Sequence, residues 1–146
     1  MTVLIYAHSQ ANPTEIISAS SILQKIGLKV IVYGQTQIIE LKSKIKIHTD
    51  TTQLIQADCL LLPGEINEDD TIAKKIVCYF LKNNLLIAAF QSSTRFTNQT
   101  IKRTNKYIQC KQYDFNTFFH LCIQFSILIA EQLGGNTELI AEILLM

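Results

Sequence analysis

The run Leu85-Leu86-Ile87-Ala88-Ala89-Phe90 is apolar without a break and stops abruptly at Gln91-Ser92-Ser93-Thr94. A strand with one wet face alternates apolar and polar residues. A strand apolar at every position is buried on both faces, the condition of a parallel sheet covered by helices. Val3–Ala7 and Cys59–Leu62 repeat the pattern, and Leu28–Tyr33 reads as a further, β-branched strand with Lys29 its one charged residue. The polar cluster after each run then lies beyond the C-terminal strand ends, where open α/β sheets hold their ligand crevices.

Between these runs the periodicity changes from strand to helix. Pro13 suits the first turn of a helix, Ile16, Ile17, Ala19, Leu23 and Ile26 recur at helical spacing, and Gly27 supplies a stop. With the flanking strands this makes a βαβ unit of about the usual 30 residues. Ile45 and Ile47, separated by lysines and His48, predict a half-exposed hairpin at a sheet edge. Asn67 to Thr71 opens a second helix, with Ile72, Ile76, Val77, Phe80 and Leu81 as its stripe. Arg95 to Lys106 is polar and basic, with only Phe96 and Ile101 apolar, and reads as a connection; Tyr107–Cys110 fits one short strand. A long apolar helix over 116–133 ends at Gly134-Gly135, and a short one is predicted over 137–145. No linker or repeat divides the chain, so residues 1–146 are expected to form one α/β domain: a flavodoxin-like, doubly wound parallel sheet with helices on both faces.

Composition narrows the function classes. The 146 residues carry a net charge of +1, which offers no electrostatic case for nucleic acid or an anionic membrane. The basic run Lys102, Arg103, Lys106 with Tyr107 is read as a solvated loop. No apolar run approaches the roughly 18 residues of a spanning helix, and the strand-like start without a basic n-region does not predict a secretory leader. Cys59, Cys78, Cys110 and Cys122 are scattered, with no CxxC spacing, so reduced thiols and a cytoplasmic location are expected, with Cys59 and Cys78 in the core. No His, Cys and carboxylate set has metal-ligand spacing, and the glycine-rich nucleotide cradles are absent. No cofactor is expected.

Three strand ends carry a family resemblance. Ile26-Gly27-Leu28-Lys29-Val30 is similar to an "AGxxV" motif, Ala57-Asp58-Cys59-Leu60-Leu61-Leu62-Pro63-Gly64-Glu65 to "YDxxxLPGG", and Leu86-Ile87-Ala88-Ala89-Phe90-Gln91-Ser92-Ser93 to "xIAAICxG". In this order and spacing they resemble the ThiJ/PfpI family of the class I glutamine amidotransferase-like superfamily, closely over residues 2–94 and loosely over 117–135. The chain is shortened relative to that family. The resemblance puts the family's nucleophilic cysteine at Gln91, and an amide cannot ionise to a nucleophile. It puts an oxyanion-hole glycine at Glu65, whose carboxylate would oppose developing negative charge if it pointed inward. The segment that holds the family's histidine contains none here. Of the site residues only Glu15 carries over, matching a glutamate that tunes the cysteine.

The candidate pocket is therefore Glu15, Glu65, Gln91, Ser92 and His8. Gln91 could hydrogen-bond a ligand amide or carboxylate, or only satisfy loop backbone. Glu15 gains from a helix N-terminus whatever it binds. Convergence of Glu15 and Glu65 on Gln91 would raise the pKa of one carboxylate and suit it to proton transfer. Cys110, followed by Lys111, and Cys122 are the substitutes for the lost nucleophile, and His120 in an apolar helix reads as a packing residue. Phe118, Phe119, Phe125 and the tail Leu144-Leu145-Met146 are a surplus of apolar groups suited to a homodimer interface. The expected function is a non-catalytic binding or regulatory pseudoenzyme with a small-molecule ligand at the strand C-terminal ends. The alternatives are a hydrolase or glyoxalase/deglycase-like enzyme rebuilt around Glu15, and a structural subunit that modulates a catalytic paralogue.

Overall fold

The computed structural model describes residues 1–90, 93–101, 106–109, 118–136, 138–139 and 142. Among the described residues five strands form one sheet: β1 (Thr2–Tyr6), β2 (Lys29–Tyr33), β5 (Cys59–Leu62), β6 (Leu86–Ala89) and β7 (Tyr107–Gln109), in the order β2-β1-β5-β6-β7. Every pairing is parallel, with Val3 opposite Cys59, Leu60 opposite Ile87 and Ala88 opposite Ile108. The chain builds outward from β1 in one direction to β2, then returns to the other side for β5, β6 and β7. Right-handed crossovers run in opposite directions therefore put helices on opposite faces. The flavodoxin-like architecture follows, and β1 and β5 flank its switch point.

One face carries α1 (Pro13–Lys25) and α4 (Phe118–Gln132), where Ile16, Ala19, Leu23, Phe125 and Ile129 bury against Val3, Ile5, Leu61 and Ala88. The other carries α2 (Thr71–Lys82), where Ala73, Ile76, Val77 and Phe80 meet Leu4, Leu60, Leu62 and Ile87. Asn12 caps α1 by accepting the Thr14 N–H at 2.9 Å, and Asp70 caps α2 by accepting that of Ala73 at 2.9 Å. The expected hairpin is a separate antiparallel pair, β3 (Ile38–Glu40) and β4 (Lys46–His48). It is anchored by buried Ile39 and Leu41 and tied to the edge of β2, where Asp50 accepts the Val32 N–H at 2.7 Å.

Four local expectations change. Residues 94–100, read as a connection, form a short helix, α3 (Thr94–Thr100), anchored by buried Phe96. Two apolar residues are too few to show a stripe. Cys78 is exposed rather than buried, because α2 turns Ala73, Ile76, Val77 and Phe80 to the sheet and leaves Cys78 on the opposite side. Ile17 is 59 % exposed, one position off the buried stripe of α1. Phe125 is committed to the chain's own core, edge-on to Phe90 at 4.9 Å, and so is not surplus. The segments 110–117 and 143–146, with Cys110 and the apolar tail, lie outside the described residues, as do the side chains of Phe118, Phe119, His120 and Cys122. Among the described residues no helix is long and apolar enough to cross a membrane.

The hydroxyl of Ser126 on α4 is fully buried and has no hydrogen-bond partner among the described residues. A buried polar group without a partner costs about 1–3 kcal/mol. Ser126→Ala is therefore expected to leave stability unchanged or raise it by about 1 kcal/mol, measured as the urea midpoint. A loss above about 1 kcal/mol would show that the hydroxyl has a partner.

Candidate functional site

The turn Leu62-Pro63-Gly64, at the end of β5 and beside the switch point, is held from three sides. From β1, the ring of His8 reaches the Pro63 carbonyl with Nε2 at 2.6 Å. The acceptor is a carbonyl, so Nε2 carries the proton there. From α1, the Glu15 carboxylate accepts the Gly64 N–H at 2.7 Å. From beyond β6, the Ser93 hydroxyl lies 3.0 Å from the Leu62 carbonyl and 2.5 Å from that of Gly64, shared between them. Leu62 also accepts the Phe90 N–H at 3.1 Å. His8, Glu15 and Ser93 are all buried, so each of these bonds forms away from water, where leaving one unmade is costly.

Gly64 can be no other residue in this arrangement. Its φ is +73°, and a Cβ would sit 2.5 Å from the Ala11 Cα and 2.7 Å from the Gln10 carbonyl. That close approach lets Glu15, on the first turn of α1, reach across to the turn. Glu15 stands at the third position of its helix, favourable for a carboxylate, and its burial is complete.

A second set of contacts supports His8 from below. Its ring stacks on Tyr6 with centroids 5.2 Å apart. Tyr6 donates its hydroxyl proton to Asp70 at 2.8 Å, and Asp70 uses its other oxygen to cap α2. Burial first, then the hydrogen bond to Asp70, raises the Tyr6 pKa well above its ordinary value, so it remains a donor. Burial likewise holds the His8 imidazole below its ordinary 6.5, against the opposing pull of the Pro63 carbonyl and Asp70.

The lowered value has a pH consequence. The unfolded chain takes up a proton at His8 near 6.5 and the folded chain only at lower pH, so the unfolded state binds more protons in between. Stability from neutral His8 is present above pH 6.5 and is lost as pH falls through the folded value. His8→Gln, which keeps an N–H donor, is expected to flatten this part of the curve of stability against pH. Denaturation series from pH 8 to about pH 5 check it, and parallel curves for the two proteins would refute it.

Outside the latched turn is an open groove of about 430 Å³. Gln10, Lys42, Glu65, Glu68, Asp69 and Arg95 line it. Arg95, on the first turn of α3, pairs through Nε with Glu68 at 2.6 Å. Glu65 is exposed on the wall of this groove, whereas Glu15 is enclosed beneath the turn. Gln91 and Ser92 lie outside the described residues. Of the five sequence candidates, the structure describes His8, Glu15 and Glu65, and it joins His8 and Glu15 to the same turn. Ser93, Tyr6 and Asp70 were missed: nothing in their spacing shows that a serine after β6 and a tyrosine inside β1 meet loops far along the chain. Among the described residues no group of three or more His, Cys, Asp or Glu is placed to hold a metal ion.

No protein-family model and no curated protein matches the sequence. Solved structures do match the fold. DJ-1 from Toxoplasma gondii, in an oxidised form, superposes with a TM-score of 0.77 at 17% identity, over 97% of this chain and 95% of that one. DJ-1beta from Drosophila melanogaster gives 0.73 at 18% identity, over 97% and 94%. A two-domain protein from Anabaena variabilis, described as containing DJ-1/ThiJ/PfpI-like and ferritin-like domains, gives 0.71 at 16% identity, over 91% of this chain and 48% of that one.

Proposed function

We propose that this chain, whose fold is that of the DJ-1/ThiJ/PfpI proteins, is a non-catalytic binding or regulatory protein acting as a cytoplasmic homodimer of single-domain subunits. The observation that carries the reading is chemical: β6 ends at Ala89, and the second residue beyond it is Gln91, an amide with no ionisable proton to give up. The neighbouring hydroxyl does not replace it. The Ser93 proton is directed at two main-chain carbonyls, whereas an activated serine hands its proton to a base. Glu15 and His8 spend hydrogen bonds on the backbone of the Leu62–Gly64 turn, which supports a structural use of both. Without a nucleophile, the crevice at the strand ends is suited to holding a small ligand, with Glu65 on its wall.

Turnover assays test the reading. The purified chain is offered an activated ester and methylglyoxal, with and without prior alkylation by iodoacetamide. The expected result is no consumption above the buffer rate in either state. Turnover that alkylation abolishes would return the enzyme reading, with Cys110 as its first suspect. Sedimentation at micromolar concentration checks the dimer, and a monomer there would remove it.

A further inference from the structure

The groove beside the Leu62–Gly64 turn carries both signs of charge on facing elements. Lys42 comes from the β3–β4 hairpin, Glu65, Glu68 and Asp69 from the loop between β5 and α2, and Arg95 from α3. Its five charged side chains sum to −1. The Arg95–Glu68 pair, 2.6 Å apart, joins α3 to the β5–α2 loop. Among the described residues Lys42 makes no ion pair, and neither Glu65 nor Asp69 has a cation within pairing distance. The hairpin is tied to the end of β1, where Lys42 donates its N–H to the Ser9 carbonyl at 2.9 Å.

We propose that this groove binds a small zwitterion carrying an ammonium and a carboxylate, of the size of a free amino acid or dipeptide. The inference rests on the binding reading above and names the ligand class of that crevice. A lone anion would meet three carboxylates, and a lone cation would meet Lys42 and Arg95. A zwitterion presents its carboxylate to Lys42 and Arg95 and its ammonium to Glu65 and Asp69, so each groove charge gains an opposite neighbour. Arg95, already paired with Glu68, can exchange that partner for the ligand's carboxylate while Glu68 turns to the ligand's ammonium. Ion-pair exchange of this kind keeps every charge compensated, which matters most as the ligand displaces water. The groove volume of about 430 Å³ is enough for a dipeptide. Its place outside the carboxyl ends of β1 and β5, at the switch point, is where ligands of open α/β sheets bind.

The test is a titration of the full-length chain at low salt, followed by calorimetry and amide chemical shifts. The probes are glycylglycine, L-alanine, acetate and methylammonium. Either zwitterion is expected to bind at least about tenfold more tightly than acetate or methylammonium, and about 0.3 M NaCl is expected to weaken it severalfold. K42M and E65Q are each expected to lower the affinity about tenfold with an unchanged urea midpoint. Acetate or methylammonium binding as tightly as the zwitterions would overturn the proposal, as would K42M and E65Q both binding like the parent. No binding by either zwitterion to a folded, catalytically inert chain overturns the ligand class and leaves the non-catalytic reading standing. Hydrolysis of glycylglycine overturns the non-catalytic reading and leaves the ligand class intact.

Discussion

Gly64→Ala is expected to destabilise the chain by about 2–5 kcal/mol, from two separate causes. The first is conformational: at φ +73° an L-residue with a Cβ is strained by about 1–2 kcal/mol. The second is steric. The new methyl would lie 2.5 Å from the Ala11 Cα, 2.7 Å from the Gln10 carbonyl and 2.9 Å from the Asn12 nitrogen, and all three are backbone atoms that no rotamer change can move. Relief requires the start of α1 to shift away from β5, which stretches the Glu15–Gly64 bond at the same time. Overpacking of this kind costs about 1–3 kcal/mol. A domain of this size has about 5–15 kcal/mol of stability, so the variant is expected to fold but to unfold at a much lower urea concentration. Gly134→Ala is the control, because Gly134 has a similar φ of +71° and a Cβ there would meet nothing within 4 Å among the described residues. It should show only the conformational part. Equal losses for the two variants would mean that the close approach of α1 to the turn carries no energy.

Glu15→Ala is expected to cost about 3 kcal/mol. The Gly64 N–H is buried, and its acceptor is a carboxylate oxygen at 2.7 Å in a site with no solvent exposure. A hydrogen bond to a charged group contributes about 1.5–3 kcal/mol, and truncation adds the cavity left by the removed atoms. Glu15→Gln keeps the shape and an acceptor oxygen, and is expected to lose less than half as much. The two variants separate volume from charge. A Glu15→Gln loss equal to that of Glu15→Ala would place all of the effect in the ionised group, pointing to a role beyond holding the turn. Because Glu15 and Gly64 share one bond, the double variant Glu15→Ala with Gly64→Ala should lose less than the sum of the single losses.

The three latches explain why the strand ends form one structure although their residues lie far apart in sequence. His8, Glu15 and Ser93 each reach a different backbone group of the same three residues, Leu62, Pro63 and Gly64. A turn held in this way presents Glu65 and the groove wall in one geometry. That is the preorganisation on which the proposed binding role would draw, since it spares ordering the site at the moment of binding.

The strands and their class were legible in the sequence. Runs such as Val3–Ala7 and Leu85–Phe90 are apolar at every position, and only a strand covered on both faces satisfies them. The alternation of strand and helix required parallel crossovers, and right-handedness then decided which face each helix takes. Gln91 was legible as a chemical fact, because an amide is an amide in any fold. What only the tertiary structure decided were meetings between residues far apart: Ser93 with the Leu62 and Gly64 carbonyls, Tyr6 with Asp70, and Lys42 with the groove of Glu65 and Arg95. Local pattern records whether a position is wet or dry and the period of its element. It does not record which distant group a buried hydroxyl or carboxylate will find, because that partner is set by the strand order and the approach of α1 to the turn. Cys78 and Ile17 make the same point from the other side. Their apolar side chains predicted burial, and the rotation of a helix against the sheet turned both to solvent.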